Sequence, residues 1–413
     1  MADLKPPSVE SEKPFTIHVP DEAISRLKTK LSDTIFPDEL EGVEWDYGVP
    51  MKDLQRLVER WADGFDWRKQ EAVLNAEFPQ FTRDITVEGH GTLNIHYIHK
   101  KSDVKGAIPL LFVHGWPGSF VEARKILPLL TASSPDHPSF HFVGLSIPGY
   151  GFSEAPRKSK FGLDQYAEVG NKLMLALGYD EYVTQGGDWG FAITRRIASL
   201  YGHKHSKAWH TNFPTGDPPS PIWQPLEFIK LFLMSSEQRN ALYKSLEFMD
   251  TGMGYMAQHA TKPQTLGYAL ADSPVGLLAW LYEKMVGWSD EYPWTDDEVL
   301  TWVSIYWFSR AGPVASTRIY RESAGPSFEA VKKVFQNIEK PTIPFGASHF
   351  QKEIIVFPLG WVKTSGKLVY QRAHPRGGHF AAWEKPEELV SDLREMFGRG
   401  GKAFGVVKGK DGY

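Results

Sequence analysis

Residues 180–202 read "DEYVTQGGDWGFAITRRIASLYG" and contain an aspartate at the centre of a glycine-lined turn. The apolar run before the turn predicts a buried strand, and the pattern after it predicts a helix. The glycines suit a strained turn, where a side chain would collide with neighbouring backbone. Asp188 would then lie at a helix N-terminus, where N–H groups favour an anion. Taken alone, this pattern fits a helix N-cap as well as a nucleophile.

The same strand-to-turn design recurs along the chain. In residues 81–209, and again in 339–413, apolar strands alternate with helical patterns, which predicts a mostly parallel sheet with helices on both faces. Residues 210–338 are dominated by helical patterns and aromatic clusters, so we expect a helical cap inserted into this core. Residues 1–80 predict an N-terminal helical extension, and the Gly/Lys-rich end of the chain predicts a loose tail. Ligands of such sheets bind at the carboxyl ends of the strands.

The composition excludes several classes of function. A formal net charge of −4 over 413 residues gives no electrostatic basis for binding nucleic acid or an anionic membrane. The chain has no cysteine, which excludes disulfides and thiolate metal sites. Neither a signal peptide nor a run of about twenty apolar residues is visible, so we expect a cytoplasmic protein without stable membrane insertion.

A second turn, "HGWPGS" at residues 114–119, follows the first buried strand of the core. Its glycine and proline can turn the backbone so that an N–H group faces the same edge of the sheet as Asp188. The backbone N–H groups of Trp116 and Trp189 would then form an oxyanion hole. We expect the loop to line the substrate pocket through His114, Gly115 and Pro117.

A candidate general base follows the last strand. The sequence "RGGHF" places His379 between that strand and the last helix, in the chain order nucleophile, acid, histidine. His374 lies within or just after the strand and His349 follows an earlier one, and neither has flanking glycines.

Two acids compete to orient the histidine. Between Pro341 and His379 the only acidic residue is Glu353, in "SHFQKE" after a predicted strand. The rival is Asp217 in "PTGDPP", which follows the preceding core strand. Elimination favours Glu353.

The motifs "HGWPGS", "GGDWG" and "GGHF", together with the long N-terminal stretch, resemble the microsomal-type epoxide hydrolases, in particular their soluble fungal members. The resemblance spans about residues 15–398. It implies the α/β-hydrolase fold with an eight-stranded sheet, a homodimer, and a detoxifying or catabolic role. One departure is Phe191, where hydrolase elbows usually have a small residue, so we expect a locally adjusted helix packing.

The resemblance also implies two cap tyrosines that grip the epoxide oxygen. Spacing alone cannot choose among the tyrosines of the cap, whereas the resemblance selects Tyr255 in "GMGYMAQHATKPQTLGY" and Tyr320 in "STRIYRES". We expect the other cap tyrosines to pack within the cap, namely Tyr268, Tyr282 and Tyr306.

The choice of aspartate indicates the substrate class. A carboxylate that attacks an ester gives a mixed anhydride and gains little, whereas attack on the strained sp³ carbon of an epoxide gives a stable alkyl ester. Asp188 is ionised at neutral pH and needs no base for this step. Water activated by His379 and Glu353 would then hydrolyse the ester to a vicinal diol. The expected partners are a small-molecule epoxide and water, with no metal and no organic cofactor.

Three alternatives remain at this stage. Haloalkane dehalogenases share the aspartate nucleophile, and their elbow is often Asp-Trp with the indole binding halide, as Trp189 could do. An esterase is disfavoured because no G-x-S-x-G motif stands at the elbow. A non-enzymatic ligand-binding member of the fold would be expected to lose one of the triad or the tyrosine pair, and all are present.

Overall fold

A computed structural model describes residues 12–218, 220–222, 225–336 and 340–413. Within these ranges one sheet forms the centre of the molecule, in the order β1-β2-β3-β5-β4-β6-β7-β8-β9. The strands are β1 Lys13–Pro14, β2 Gln80–Val87, β3 Gly91–Lys100, β4 Ile108–Val113, β5 Phe140–Leu145, β6 Tyr182–Gly186, β7 Ser206–Thr211, β8 Pro344–Lys352 and β9 Lys367–Gly378.

The sheet is mostly parallel, as the alternation predicted. Strands β4 to β9 pair in parallel, while β1, β2 and β3 form an antiparallel edge that joins the sheet through β5. The described residues contain nine strands rather than the expected eight, and the shortest is the two-residue β1. Every residue of β4 is buried, as expected of a strand with helices on both faces.

Helices precede, interleave with and follow the strands. The N-terminal helices are α1 Asp21–Ser32, α2 Met51–Ala62 and α3 Trp67–Glu77, and the first core helices are α4 Ile126–Thr131, α5 Leu163–Ala176 and α6 Trp189–Tyr201. Between β7 and β8 lie α7 Pro225–Phe232, α8 Ser236–Thr251, α9 Gly254–Thr261, α10 Pro263–Asp272, α11 Pro274–Gly287, α12 Asp296–Trp307, α13 Arg318–Ala324 and α14 Phe328–Gln336. The last core helices are α15 Leu359–Val362, α16 Ala381–Glu384 and α17 Pro386–Phe397.

The N-terminal helices pack against the helices of the cap. In α2, the buried residues Leu54, Leu57, Val58 and Trp61 recur at helical spacing and form its apolar face. Its polar side reaches the cap through two hydrogen bonds from the Arg60 guanidinium to the Asp297 carboxylate in the first turn of α12, at 3.0 and 3.1 Å. The first eleven residues lie outside the described ranges. No helix that the structure describes is both long enough and apolar enough to cross a membrane.

The C-terminal tail differs from the loose segment that its composition suggested. Ser139 N–H donates to the Gly412 carbonyl at 2.8 Å, and Gly412 N–H donates to the Gly106 carbonyl at 2.7 Å. Val407 is buried, and the Arg399 guanidinium lies over the Tyr413 ring. The tail therefore packs against the core, because its glycines allow the backbone to follow the surface closely.

Candidate active site

Asp188 lies between β6 and α6, at the carboxyl edge of the parallel sheet. Its φ of 51° and ψ of −127° are unusual for a residue with a side chain. The side chain makes no capping hydrogen bond to α6. Its Oδ1 atom instead accepts a hydrogen bond from the backbone N–H of Trp116 at 2.8 Å. The side-chain contacts therefore do not support the N-cap interpretation.

Glycines make this turn possible by allowing three backbone segments to approach closely. A Cβ atom on Gly186 would lie 2.6 Å from the carbonyl of Gly190. A Cβ atom on Gly190 would overlap the carbonyl oxygen of Val113, and one on Gly115 would overlap the Asp188 carboxylate. A side chain at any of these three glycines would therefore clash with the backbone or with Asp188.

The "HGWPGS" loop is fixed against the cap from above. The Trp302 indole donates to the Pro117 carbonyl at 2.6 Å, and the Tyr306 hydroxyl donates to the Gly118 carbonyl at 2.6 Å. This anchoring holds the Trp116 N–H on Asp188. The N–H groups of Trp116 and Trp189 both favour the ionised form of Asp188 and oppose the rise in its pKa that burial causes.

His379 follows β9 directly and is buried between two carboxylates. Its Nδ1 atom lies 2.6 Å from Glu353 Oε1, and its Nε2 atom lies 3.8 Å from Asp188 Oδ2. Its backbone N–H donates to the Trp288 carbonyl at 2.9 Å, and the Trp288 ring meets the imidazole edge to face. The imidazole thus links the two acids in the order expected of a nucleophile, a base and an orienting acid.

The charge of the imidazole depends on these neighbours. Burial opposes the charged form, but the carboxylate of Glu353, the hydrogen bond to it and the charge of Asp188 raise the pKa of His379 to about 9. In the free protein near neutral pH, His379 is therefore an imidazolium held between anions.

The structure does not bring the rival residues to this site. Asp217 lies near Arg195, and its charge opposes the lowering of the Arg195 pKa that burial causes. The backbone N–H of Asp217 donates to Thr364 Oγ1 at 3.0 Å. His374 contacts Asp392 at 2.7 Å, and His349 contacts Gln371.

Tyr255 of α9 and Tyr320 of α13 lie together above Asp188. Their ring centroids are 6.0 Å apart, and the Trp116 ring stacks on Tyr255 at 5.2 Å. Burial raises the pKa of each hydroxyl well above its usual value, and the charge of Asp188 adds to this in both. A contact with the Tyr320 hydroxyl opposes this rise for Tyr255, and a contact with the Trp189 indole opposes it for Tyr320. Both hydroxyls therefore remain protonated and lie within the field of the carboxylate.

The other cap tyrosines behave differently from one another. Tyr282 packs on Trp45 with ring centroids 5.8 Å apart, and Tyr306 is buried at the loop. Tyr268, however, is 71% exposed, so the expectation that it packs within the cap was wrong. It lies on the outer side of α10, a position that aromatic content alone could not reveal.

Two small cavities meet at Asp188. One, of about 20 Å³, lies on the core side and includes His114, Gly115 and His379 in its wall. The other, of about 30 Å³, lies on the cap side and is lined mainly by apolar side chains, namely Phe213, Met249, Met253, Met256, Phe335, Ile354, Ile355 and Phe357, together with Tyr255 and Asp188.

The three residues expected to line the substrate pocket, His114, Gly115 and Pro117, differ in their position relative to these cavities. Gly115 borders the core-side cavity, whereas Pro117 is not among the wall residues of either cavity. His114 also borders the core-side cavity, and its Nδ1–H donates to the Gly115 carbonyl at 2.9 Å. Burial lowers the pKa of His114 to about 4, so the imidazole is neutral. Sequence reasoning missed the methionines of the cap-side cavity and the buried acid Glu122 of the core-side cavity, because neither forms a motif.

Two family profiles match parts of the chain. The profile described as "Epoxide hydrolase N terminus" matches residues 12–123, and the profile "alpha/beta hydrolase fold" matches residues 108–245. Epoxide hydrolase 1 of Sus scrofa is 37% identical, over 94% of this chain and 89% of its own length.

Two solved structures are similar over almost the whole chain. The Aspergillus niger epoxide hydrolase is 37% identical with a TM-score of 0.79, covering 93% of this chain and 95% of its own. The juvenile hormone epoxide hydrolase of the silkworm Bombyx mori is 32% identical with a TM-score of 0.82, covering 94% and 95%. The chain therefore belongs to the epoxide hydrolases of the α/β-hydrolase fold, the enzymes that hydrolyse epoxides.

Proposed function

We propose that this enzyme opens epoxides through a covalent ester on Asp188. The observation that carries the proposal is that the two oxygens of this carboxylate have different contacts. Oδ1 is held by the Trp116 N–H at 2.8 Å, while Oδ2 faces His379 at 3.8 Å. One oxygen is fixed for charge stabilisation and the other is available for attack.

In the first step, Asp188 Oδ2 attacks one epoxide carbon. A C–O bond of the ring breaks, and its electron pair moves to the epoxide oxygen. The hydroxyls of Tyr255 and Tyr320 stabilise that oxygen with hydrogen bonds and a proton. Their raised pKa values support this role, because both groups enter the reaction protonated.

In the second step, His379 removes a proton from water, and the hydroxide attacks the carboxyl carbon of Asp188. The negative charge that develops on Oδ1 is stabilised by the N–H groups of Trp116 and Trp189. The intermediate then collapses, the bond between the carboxyl carbon and Oδ2 breaks, and the imidazolium returns the proton to the departing alkoxide. The proton left on the Asp188 carboxyl group passes to His379, which restores the carboxylate and the imidazolium. The product is a vicinal diol.

Alkylation itself prepares the base for this step. The Asp188 charge is one of the influences that raise the pKa of His379 to about 9. The ester is neutral, so this influence disappears when the ester forms, and the pKa of His379 falls. The imidazolium then gives its proton to the tyrosinate left by ring opening, so His379 becomes a base only after the nucleophile has reacted, while Glu353 continues to orient it.

The cap-side cavity supports an apolar substrate. Its wall consists mainly of methionine, phenylalanine and isoleucine side chains, which favour alkyl or aryl groups next to the epoxide. The substrate class we propose is therefore a small apolar epoxide, with water as the second reactant. The homodimer and the detoxifying role rest on the resemblance, the cytoplasmic location rests on the sequence pattern, and all three stay predictions.

Assays of the purified protein with styrene oxide and with a bromoalkane test this function. We expect the enzyme to form a diol from styrene oxide, detected by chiral chromatography, and to release no bromide from the bromoalkane. Bromide release without diol would identify the haloalkane dehalogenase alternative, and neither product would support a ligand-binding member of the fold.

A further inference from the structure

Glu122 is a buried acid that the two steps above do not use. It lies in the short 3₁₀ helix Phe120–Arg124, just beyond the "HGWPGS" loop, and is only 9% exposed. Its Oε1 atom occupies the space beside Gly118, where a Cβ atom would overlap it. The glycine thus makes room for a carboxyl group, which is a costly group to bury without a polar partner.

The charges of the active-site residues influence the pKa of this carboxyl group. Burial raises the pKa of Glu122 to about 8, the charge of His379 opposes this rise, and Asp188 adds to it. The backbone N–H groups of Ser119 and Gly115 favour its charged form to a smaller extent. At neutral pH, Glu122 is therefore a neutral carboxylic acid, able to accept one hydrogen bond and donate another.

The core-side cavity joins this acid to the reacting groups. Its wall includes Glu122, Asp188 and His379, and its volume is about 20 Å³. A cavity needs roughly 10–15 Å³ and two to four polar partners to hold one water molecule. Asn212, another polar residue in the wall, accepts a hydrogen bond from Gln185 at 2.8 Å. The cavity therefore fits a single water molecule between an acid, a base and the carboxylate to be hydrolysed.

We propose that Glu122 is a positioning residue that holds the hydrolytic water between His379 and the ester of Asp188. This inference rests on the proposed function and deepens its second step. One hydrogen of the water points to His379 Nε2, and the other is accepted by the carboxyl group of Glu122. A lone pair of the water oxygen then faces the carboxyl carbon of Asp188.

The bond changes of hydrolysis remain those given above. The water loses its first proton to His379, its oxygen bonds to the carboxyl carbon, and Glu122 keeps the second hydrogen in place. Because Glu122 is neutral, it orients the water without adding a negative charge next to the developing oxyanion. Alkylation uses no water and does not depend on Glu122.

The test is a single-turnover reaction with styrene oxide, quenched at short times and analysed by intact-protein mass spectrometry. It measures separately how fast the adduct on the enzyme forms and how fast it disappears. The variants are Glu122→Leu, which removes the polar group, and Glu122→Gln, which keeps the shape but turns an N–H donor toward the water. Glu71→Gln is the control, because Glu71 is a buried acid of α3 bound to the Val19 N–H and Arg68.

We expect adduct formation within about 3-fold of the wild type in every variant, whereas adduct decay slows about 100-fold in Glu122→Leu and about 10-fold in Glu122→Gln. Glu71→Gln should leave both steps within about 2-fold, since it lies outside the region where water is activated. Glu122→Gln decides alone if Glu122→Leu does not fold.

Decay within about 3-fold of the wild type, or formation and decay that fall by the same factor, would overturn the role of Glu122. A wild type that forms no adduct would overturn the proposed function itself. Normal adduct chemistry in the wild type with unchanged decay in the variants would remove only the role of Glu122.

Discussion

Asp188 and His379 form a pair in which each group changes the charge state of the other. The imidazolium opposes the rise in the Asp188 pKa that burial causes, and the carboxylate helps to raise the pKa of His379. In the proposed mechanism, forming the ester would remove the charge of Asp188 from this pair. The pKa values of the two residues would then set the order of the two chemical steps.

The substitution His379→Gln separates the steps. Asp188 keeps its nucleophilic oxygen and the Trp116 N–H, so the ester should still form, but no base remains to activate water. We expect a stable increase in protein mass equal to that of the epoxide and a loss of turnover of at least about 10³-fold. Asp188→Ala is the matched control, and a mass increase in that variant would place the ester elsewhere.

The orienting acid is tested by a pair of similar substitutions. Glu353→Gln removes the negative charge 2.6 Å from His379 Nδ1, so we expect hydrolysis of the ester to slow by about 10²-fold or more. Asp217→Asn should change it by less than about 2-fold, since Asp217 lies near Arg195 instead. The reverse pattern in single-turnover kinetics would reassign the acid to Asp217.

At the level of elements, the site is built where parallel strands end. Asp188 follows β6, Glu353 follows β8 and His379 follows β9. These positions could be predicted from the sequence because apolar runs and glycine turns are local patterns. The ring of Phe191 is buried and contacts Trp209 and Phe213, and the expectation of an adjusted helix packing stays a prediction.

The cap was less predictable than the core. Its helices bring Tyr255 and Tyr320 together from elements that are about sixty residues apart, and only a resemblance selected them. Glu122 reads in the sequence as an ordinary surface acid, and Tyr268 reads as a core aromatic. Burial of such residues is set by tertiary contacts that periodicity within one element does not record.

Removal of one cap hydroxyl tests how the cap contributes to ring opening. Tyr255→Phe and Tyr320→Phe keep the ring packing but remove a donor, so we expect adduct formation to slow by about 10- to 100-fold in each. Tyr268→Phe is the control, because its side chain is mostly exposed. Formation that stays within about 2-fold in both site variants would exclude the pair from ring opening.

At the scale of the whole molecule, the buried charges couple stability to pH. The folded pKa of His379, about 9, lies above its ordinary value of 6.5. Its contribution to stability is therefore fully present below pH 6.5 and is lost as the pH rises to about 9. Such a shift corresponds to a contribution on the order of 3 kcal/mol.

Thermal unfolding from pH 6 to pH 10 checks this sign. We expect the midpoint of the wild type to fall more steeply with rising pH than that of His379→Gln. The raised pKa of Glu122 acts in the same direction in both proteins. Parallel curves for the two proteins would show that His379 is not held as an imidazolium.

The most direct measurement of the central claim is a single turnover of wild-type enzyme in ¹⁸O-water. In the two-step scheme, the diol receives its new oxygen from Asp188, and the carboxylate regains one from water. We therefore predict one ¹⁸O atom in the peptide that contains Asp188 and unlabelled diol. Labelled diol with an unlabelled Asp188 would contradict the ester and favour direct attack of water on the epoxide.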